Sequence, residues 1–308
     1  MKDVRCSHVF RLVLGLTPLS DVIAPPFTSK LVRSSLLSCG LDYLEKLGSR
    51  SLSYKRVFIS PILVGGKPIY KRFNNKSNAF IVLRQGREYS AFFSAMVGEE
   101  ELENLLDRLD EYVVETPYGH IRLIIKGIKI TSLRELDISL GEVFKVKFLT
   151  PTMLSNKLMI PPKIRGIIRN SVIGMVRLLP SPSLLFSYLT ILWNRNVIPD
   201  LILPKPGYNT DEAAYKIGRI ADIFMVEIDH DVETLTVLYD KKGDAERKIR
   251  GFVGWVLYRV AYKGGQLPRV LRKLLALANY MGVGRSRGIG MGMIRIEPVS
   301  RKEANHKT

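Results

Sequence analysis

The order in which strand and helix patterns follow one another constrains this 308-residue chain more than any other feature. In the first half, apolar residues recur either at every second position, as in strands, or at steps of three and four, as in helices. The order that these patterns predict, β-α-β-β-α-β, is that of the ferredoxin-like unit. The predicted strands span 4–16, 57–64, 79–83, 89–97 and 121–131, and the predicted helices span 28–47 and 99–114.

A similar cycle begins after residue 140. Phe144, Val146 and Phe148 alternate with Lys145 and Lys147, as in a strand that is buried on one face. We therefore predict an α+β fold with two tandem ferredoxin-like (RRM-like) domains, residues 1–140 and 141–308. The predicted helices of the second half span 183–194, 210–221 and 268–281, and its later strands span 224–239, 252–261 and 291–298.

The net charge of +18 is distributed unevenly along the chain. Residues 1–145 carry a net +5, residues 146–246 a net +1, and residues 247–308 a net +12. Apolar residues and glycines interleave the charges of the last segment, so it does not resemble a disordered basic arm. We expect a folded basic surface there, and RNA or DNA as its partner.

Cysteine content and hydropathy limit the cellular setting. Cys6 and Cys39 are too few for a thiol zinc site and give no disulfide framework, so we expect a reducing cytoplasm. The apolar stretch 9–16 is interrupted by Arg11, and no uncharged apolar segment reaches the roughly 18 residues that a membrane helix needs. We expect neither a signal peptide nor a membrane protein.

The most specific motif is the run Gly-Val-Gly-Arg-Ser-Arg-Gly-Ile-Gly-Met-Gly at residues 282–292. Glycine permits positive φ and close backbone approach, while amide groups and guanidinium forks suit phosphate oxygens. A dinucleotide-binding loop would need a strand before it and a helix after it, whereas here the helix comes first. A helix C-cap with a glycine-rich hairpin is the structural alternative. The predicted RNA contacts in this loop are Gly282, Gly284, Arg285, Ser286, Arg287 and Gly288.

Several short motifs of the second half stand in an order that is found in a known family. They are Leu-Thr-Pro-Thr at 149–152, Leu-Trp-Asn at 192–194, and Gly-Phe-Val-Gly at 251–254, followed by a helix and the loop 282–292. In these motifs the sequence resembles the CRISPR repeat-RNA processing endoribonucleases of the RAMP superfamily. The resemblance covers most of the chain and implies two tandem ferredoxin-like domains with RNA bound along their shared cleft.

The resemblance also implies an activity. Enzymes of this family cleave precursor CRISPR transcripts at the base of the repeat hairpin without a metal ion or another cofactor. The 2′-OH of the RNA attacks the adjacent phosphate, which leaves a 2′,3′-cyclic phosphate and a 5′-OH. The implied partners are the repeat RNA and subunits of a CRISPR effector complex, and the oligomeric state stays open between a monomer and a homodimer. The alternative function is that of a non-catalytic RNA-binding subunit of such a complex.

The histidines of this chain depart from the family pattern. In the family a histidine often serves as general base, with a tyrosine and a lysine on or just after the first helix. Here the four histidines, His8, His120, His230 and His306, all lie outside residues 25–60. Since general acid–base catalysis typically contributes about 10²–10⁴-fold, we expect slow turnover.

Cations occupy the corresponding region instead. Lys30 and Arg33 are three residues apart on the predicted helix and share a face, while Lys55 and Arg56 directly precede a predicted strand. We predict that Lys30, Arg33 and either Arg56 or Lys55 stabilise the transition state and protonate the leaving 5′-oxygen. Tyr54 is a secondary candidate for proton transfer. Ordinary solvated charges are the structural alternative.

Outside the glycine-rich loop, further basic residues are candidates for RNA binding. We predict contacts from Arg250, which precedes the 251–254 motif, and from Arg259. Arg269 and Lys273 lie on a basic flank of the helix 268–281, which either follows a phosphate strand or faces water.

A metal-dependent nuclease is the third hypothesis. Glu227, Asp229, Asp231 and Glu233 alternate with other residues and would share one face of a strand. Successive carboxylates on such a face are about 7 Å apart, whereas two-metal sites hold their ions about 4 Å apart. We therefore predict no metal site here.

Overall fold

The computed structural model describes residues 5–40, 54–73, 80–106, 110–204, 208–242, 245–261 and 267–299. The first half forms one large antiparallel sheet, in which β1 is central between β7 and β9. Its strands are β1 (His8–Pro18), β2 (Val22–Ala24), β3 (Val57–Ile59), β4 (Leu63–Val64), β5 (Lys67–Pro68), β6 (Ile81–Leu83), β7 (Tyr89–Val97), β8 (Tyr112–Thr116) and β9 (Gly119–Ser132). Its helices are α1 (Ser29–Ser38) and α2 (Glu99–Leu106).

The strand order in this sheet is β5-β4-β7-β1-β9-β8, and β3 also pairs with β7. The four strands of the ferredoxin-like unit thus correspond to β1, the β3–β4 segment, β7 and β9. Helices α1 and α2 are its two crossover helices. Strand β8 extends the edge beyond β9, while β6 pairs with β2 in a separate two-stranded sheet.

The second half forms a four-stranded antiparallel sheet of order β13-β14-β10-β15. The strands of this half are β10 (Val143–Thr152), β11 (Leu154–Ser155), β12 (Val176–Arg177), β13 (Met225–Lys242), β14 (Ala245–Val260) and β15 (Ile294–Pro298). The helices are α3 (Asn170–Gly174), α4 (Pro182–Asn194), α5 (Thr210–Phe224) and α6 (Leu267–Met281), with 3₁₀ turns at Asn156–Met159, Pro162–Ile167, Pro199–Leu201 and Arg287–Ile289. The same ferredoxin-like strand order in both halves confirms the predicted fold class.

The predicted helix 99–114 needs correction. The described part of the acidic helix α2 runs to Leu106, and Tyr112–Thr116 is strand β8 rather than the end of that helix. Aromatic and β-branched residues at 112–114 favour a strand, and pairing with β9 decides the matter. Thr28 stands at the N-cap position of α1, but its hydroxyl makes no capping hydrogen bond. It donates to the Ile69 carbonyl at 2.6 Å and accepts from the Ile62 amide at 2.9 Å. The predicted end of α1, residues 41–47, lies outside the described residues.

The apolar cores explain why the two halves stay together. One core lies between the first sheet and α1, with Leu12 and Leu31 among its buried side chains. The core of the second half continues into the first, because Val9 and Met96 belong to the same cluster as Trp193 and Phe252. Among the described helices, none is long and apolar enough to cross a bilayer.

Arg11 joins the first sheet to the end of α6. Its guanidinium donates to Ser94 Oγ at 3.1 Å and to the carbonyls of Asn279 and Tyr280, which are in the last turn of the helix. The guanidinium carbon also lies 4.1 Å from the centroid of the Phe92 ring. Burial lowers the pKa of Arg11 to about 10, so the side chain stays charged at neutral pH and complements the helix C-terminus.

Replacing Arg11 with methionine is expected to lower the free energy of unfolding by about 2–3 kcal/mol. Methionine fills much of the same space but leaves the last carbonyls of α6 without a donor. Urea unfolding measures the change. The matched control is Arg122→Met on the neighbouring strand, where the ion pair with Glu111 is about half exposed and its loss should cost under about 1 kcal/mol. Equal losses for both variants would contradict the role assigned to Arg11.

Candidate active site and nucleic-acid interface

The two halves enclose a cleft of about 780 Å³. Its walls come from α1, from the chain before and within β3, from β11 and the turn after it, from the β13–β14 hairpin, and from the glycine-rich loop. The lining residues of the first half are Arg33, Tyr54, Lys55, Val57 and Ile59, and those of the second half are Ser155, Lys157, Tyr188, Tyr239, Arg247 and 284–289.

Five exposed or half-buried cations line this cleft, and no aspartate or glutamate is among the described lining residues. They are Arg33, Lys55, Lys157, Arg247 and Arg285. Like charges that a fold holds together favour an anion between them, and a low-dielectric wall strengthens the field. The electrostatics therefore suit a phosphodiester of RNA or DNA.

The structure separates the predicted catalytic cations into two groups. Arg33 and Lys55 line the cleft together with Arg285 of the glycine-rich loop. The Lys30 ammonium lies instead 4.6 Å from the centroid of the Tyr239 ring, at the edge of the lining. Arg56 points elsewhere: its guanidinium is 3.3 Å from a Glu101 carboxylate oxygen, and its side chain is 15% exposed. Neighbouring residues of an extended chain face opposite sides, so Lys55 enters the cleft and Arg56 does not.

Tyr54 lies in the same wall in a conformation that is rare for a side-chain-bearing residue. Its φ is +59°, which costs of the order of 1–3 kcal/mol. The second half stabilises it: the Tyr188 ring is 5.3 Å away, the Arg195 guanidinium lies 4.9 Å above its ring, and Asn196 Nδ2 donates to its carbonyl at 3.2 Å. Burial raises the pKa of Tyr54 to about 12. The phenol is therefore protonated at neutral pH and is able to donate a proton but not to accept one as a base.

The glycines of the 282–292 loop are required mainly by contacts within the protein. A Cβ at Gly292 would lie 1.8 Å from the Val283 carbonyl oxygen, and one at Gly284 would lie 2.4 Å from the Met153 oxygen. Both glycines also have positive φ. Gly282, predicted as an RNA contact, is buried and does not line the cleft. Only Gly288 borders the cleft without such a constraint.

Backbone amides of the loop are also used internally. The amides of Arg285 and Gly292 donate to the carbonyls of Met153 and Pro151, at 3.0 Å each. Thr150 Oγ1 donates to the Gly290 carbonyl at 2.8 Å. The Leu-Thr-Pro-Thr motif is therefore hydrogen-bonded to the glycine-rich loop, and the two motifs form one structural unit.

Arg285 and Arg287 have different environments although they are two residues apart. Arg285 is exposed at the cleft and donates to Ser155 Oγ at 3.0 Å. Arg287 is 3% exposed, and its guanidinium donates to three oxygens of the protein. Ser286, between them, is exposed with φ +65° and lines the cleft. The two predicted RNA contacts thus differ: the Arg285 side chain is exposed at the cleft, whereas the Arg287 guanidinium is buried and hydrogen-bonded within the protein.

The other predicted RNA contacts lie away from the cleft. Strand alternation places Arg250 on the face of β14 opposite to Arg247, and up to about 40 Å of extended strand separates Arg259 from Arg247. Lys273 donates to the carbonyls of Leu133 and Arg134 at 3.0 and 2.7 Å, and burial lowers its pKa. Arg269 is exposed on α6 outside the lining. We do not include these four in the candidate site.

Carboxylates and histidines also lie outside the cleft lining. Within the part of the chain that the structure describes, no three His, Cys, Asp or Glu side chains are grouped as metal ligands would be. The carboxylate row on β13 is broken by a register shift between Glu227 and Asp229, and Glu233 pairs with Arg72 at 3.0 Å. Of the described histidines, none lines the cleft.

Sequence reasoning missed six lining residues of the second half, of which four have a cationic or aromatic side chain: Lys157, Tyr188, Tyr239 and Arg247. Arg247 and Tyr239 belong to one long hairpin, whose first strand reaches Lys242, three residues beyond the predicted end, and whose second begins at Ala245 rather than 252. Tyr188 lies in α4, a helix whose residues are mostly apolar. Lys157 follows the two-residue strand β11. A signal for Lys157 existed: residues 143–199 contain eight basic residues and no acidic one.

The fold and the site together define a class: a protein with tandem ferredoxin-like halves that enclose a cationic cleft suited to RNA. Residues 10–131 match the Cas6 N-terminal domain, and residues 146–294 match the family CRISPR-associated endoribonuclease Cas6. Two endoribonucleases of Saccharolobus solfataricus, Cas6 1 and Cas6 2, are 32% and 29% identical to this chain, covering 97% and 94% of it and 99% and 96% of their own lengths. The structure of Thermus thermophilus Cas6 has the same fold, with a TM-score of 0.60 at 19% identity over 94% of this chain and 98% of that one.

The chain belongs to the Cas6 family of CRISPR-associated endoribonucleases. This assignment rests on matches that extend over both halves, with a relative above 30% identity along nearly the whole length.

Proposed function

We propose that this endoribonuclease cleaves CRISPR repeat RNA in the cleft between its halves, without a metal ion, by attack of the RNA's own 2′-OH. The observation that carries the proposal is the meeting of Arg33 and Lys55 with Arg247 and Arg285 around one cleft that has no described carboxylate in its lining. Cations from both halves are thereby available to a single phosphodiester.

The proposed chemistry is an in-line displacement within the substrate. The 2′-oxygen forms a bond to phosphorus, its proton passes to solvent, and the bond from phosphorus to the 5′-oxygen breaks. The phosphorane carries more negative charge than the phosphodiester, so fixed cations bind it more tightly and lower the barrier. Lys55 and Arg33 supply this stabilisation, and the leaving 5′-oxygen takes a proton from Lys55 or from the protonated Tyr54.

Substrate binding is assigned mainly to the second half. Arg285, Arg247 and Lys157 contact phosphates on both sides of the scissile linkage, while Tyr239 offers an aromatic surface next to them. Since neutralised phosphates release counterions, affinity should fall steeply with salt concentration. A role in handing the product to subunits of a CRISPR effector complex is consistent with the same surface.

Incubation of the purified protein with repeat RNA in excess EDTA should yield products with a 2′,3′-cyclic phosphate and a 5′-OH. Single-turnover gels and mass spectrometry of the ends provide the measurement. The matched control is the same RNA with a 2′-deoxy substitution at the cleavage position, which should bind but stay intact because its nucleophile is missing.

Other outcomes separate the competing hypotheses. Activity that EDTA abolishes and Mg²⁺ restores would indicate a metal-dependent nuclease, for which Asp229 and Asp231 would be the first residues to test. Tight binding of repeat RNA without any product would contradict the catalytic proposal and favour an RNA-binding subunit.

A further inference from the structure

The glycine-rich loop contains a buried arginine that the proposed chemistry does not use. Arg287 is 3% exposed, although it stands between the exposed Ser286 and the cleft residue Gly288. A buried guanidinium is costly unless its donors are satisfied. Here three of the five N–H donors of the guanidinium are accepted by oxygens of the protein, and the low exposure leaves little surface for a phosphate.

The partners of Arg287 come from three separate elements. Its Nε donates to the Tyr188 hydroxyl at 2.6 Å, its Nη1 donates to the Met281 carbonyl at 2.9 Å, and its Nη2 donates to the backbone carbonyl of Lys55. Met281 ends α6 and Tyr188 lies in α4, so both belong to the second half. Lys55 belongs to the first half and carries one of the proposed catalytic cations. The planar guanidinium therefore connects a rigid part of one half to the backbone of the other.

The segment that Arg287 holds is one that requires support. Lys55 directly follows Tyr54, whose φ of +59° a residue with a side chain rarely adopts. The Tyr54 ring packs against Tyr188, which accepts the hydrogen bond from Arg287. Loss of Arg287 would release both Tyr188 and the Lys55 carbonyl, so the turn that directs Lys55 into the cleft would relax.

The loop also contacts the first half beside this turn. Ser29 Oγ, at the start of α1, donates to the Ile289 carbonyl at 2.6 Å. A Cβ added at Gly290 would lie 2.9 Å from the Ile59 carbonyl oxygen in β3. The loop is thus packed against the start of α1 and against β3, the two elements that border Arg33 and Lys55.

We propose that Arg287 is a positioning residue: it holds the Tyr54–Lys55 turn so that the Lys55 ammonium faces the scissile phosphate, and it makes no contact with RNA. This inference rests on the proposed function, because it assumes that Lys55 acts in cleavage. It assigns the two arginines of the loop different tasks, since Arg285 binds RNA and Arg287 orders the catalytic turn.

The test is a double-mutant cycle between Arg287→Met and Lys55→Ala. Single-turnover cleavage of repeat RNA and affinity for the 2′-deoxy repeat RNA are measured for wild type, both single variants and the double variant. Arg287→Met alone should slow cleavage by about 30-fold, because a displacement near 1 Å in an active site costs up to about 100-fold. Its RNA affinity should stay within about threefold of wild type, since no phosphate contact is lost. In the Lys55→Ala background the same change should slow cleavage by less than about threefold.

Each alternative outcome overturns a distinct statement. Equal slowing by Arg287→Met in both backgrounds would show that Arg287 does not act through Lys55. An affinity loss of about tenfold or more would make Arg287 an RNA contact. Normal cleavage by Lys55→Ala would overturn the catalytic role of Lys55 in the proposed function, and the positioning role with it. If Arg287→Met does not fold, Arg287→Lys replaces it in the test, because lysine keeps the charge but reaches fewer acceptors. Its cleavage rate should fall less than that of Arg287→Met and should show the same coupling to Lys55.

Discussion

Replacing Lys55 with alanine should slow cleavage of repeat RNA by about 100- to 1,000-fold at saturating protein. The physical reason is that a fixed cation stabilises the phosphorane more than the phosphodiester, so its removal raises the barrier more than it weakens binding. Affinity for the uncleavable 2′-deoxy RNA should fall by less than about tenfold, because four other cations remain around the cleft. Single-turnover rates and filter binding at several salt concentrations provide the two measurements.

Two other alanine variants serve as comparisons for Lys55→Ala, one outside the cleft and one at a proposed RNA-binding residue. Lys67→Ala removes the same charge from an exposed position outside the cleft lining and should leave the rate unchanged. Arg285→Ala should act chiefly on binding and reduce the salt dependence, the slope of log K against log salt concentration, by about 0.7. If Lys55→Ala weakened binding as much as it slowed cleavage, Lys55 would be a binding residue and the catalytic assignment would be wrong.

Replacing Gly292 with alanine should cause the largest loss of stability among single substitutions in the loop. The added Cβ would lie 1.8 Å from the Val283 carbonyl oxygen, and φ is +69°. Overpacking costs about 1–3 kcal/mol and the left-handed conformation about 1–2 kcal/mol for an L-residue, so we expect a loss of about 2–5 kcal/mol. At about 2–4 °C per kcal/mol, the Tm should fall by at least about 4 °C. Differential scanning calorimetry gives the stability change, and cleavage below the Tm should drop by at least about 100-fold because the loop shifts.

The control for this variant lies within the same loop. At Gly288 φ is not positive, and an added Cβ would meet only Val57 Cγ2 at 3.7 Å and Lys55 Cδ at 3.9 Å. Gly288→Ala should therefore keep the Tm within about 2 °C. If the two variants had equal Tm values, the packing explanation of the glycines would fail, and close approach to RNA would become the better explanation.

The regular elements followed from hydrophobic periodicity because each has one buried face. Strand β7 was predicted at its observed bounds, residues 89–97, and α6 within one residue of its observed start. Strand β8 was predicted as helix because the acidic helical pattern before it continues into Tyr112 and Val113, and only pairing with β9 reveals the strand. The start of β14 was missed for another reason: residues 246–250 are mostly charged and exposed, so no apolar alternation marks them as a strand.

The candidate site was predicted in outline but not in its individual residues. The basic glycine-rich loop and the cations near the first helix stood out by composition, and the structure brings Arg33, Lys55 and Arg285 to one cleft. Composition does not distinguish Lys55 from Arg56, or Arg285 from Arg287. In each pair, one side chain faces the cleft. The other binds a residue from a distant part of the chain: Arg56 pairs with Glu101, and Arg287 donates to the Tyr188 hydroxyl.

The sequence by itself determined the two ferredoxin-like halves, the basic character of the second half and the position of the glycine-rich loop, because periodicity, charge and glycine content are local properties. Only the tertiary structure decided which cations meet at the cleft, why the glycines are needed and why Arg287 is buried. Those outcomes depend on contacts between segments more than 200 residues apart, such as Arg287 with Lys55. Side-chain direction and burial at such contacts are set by the packing of the two halves, which no local pattern encodes.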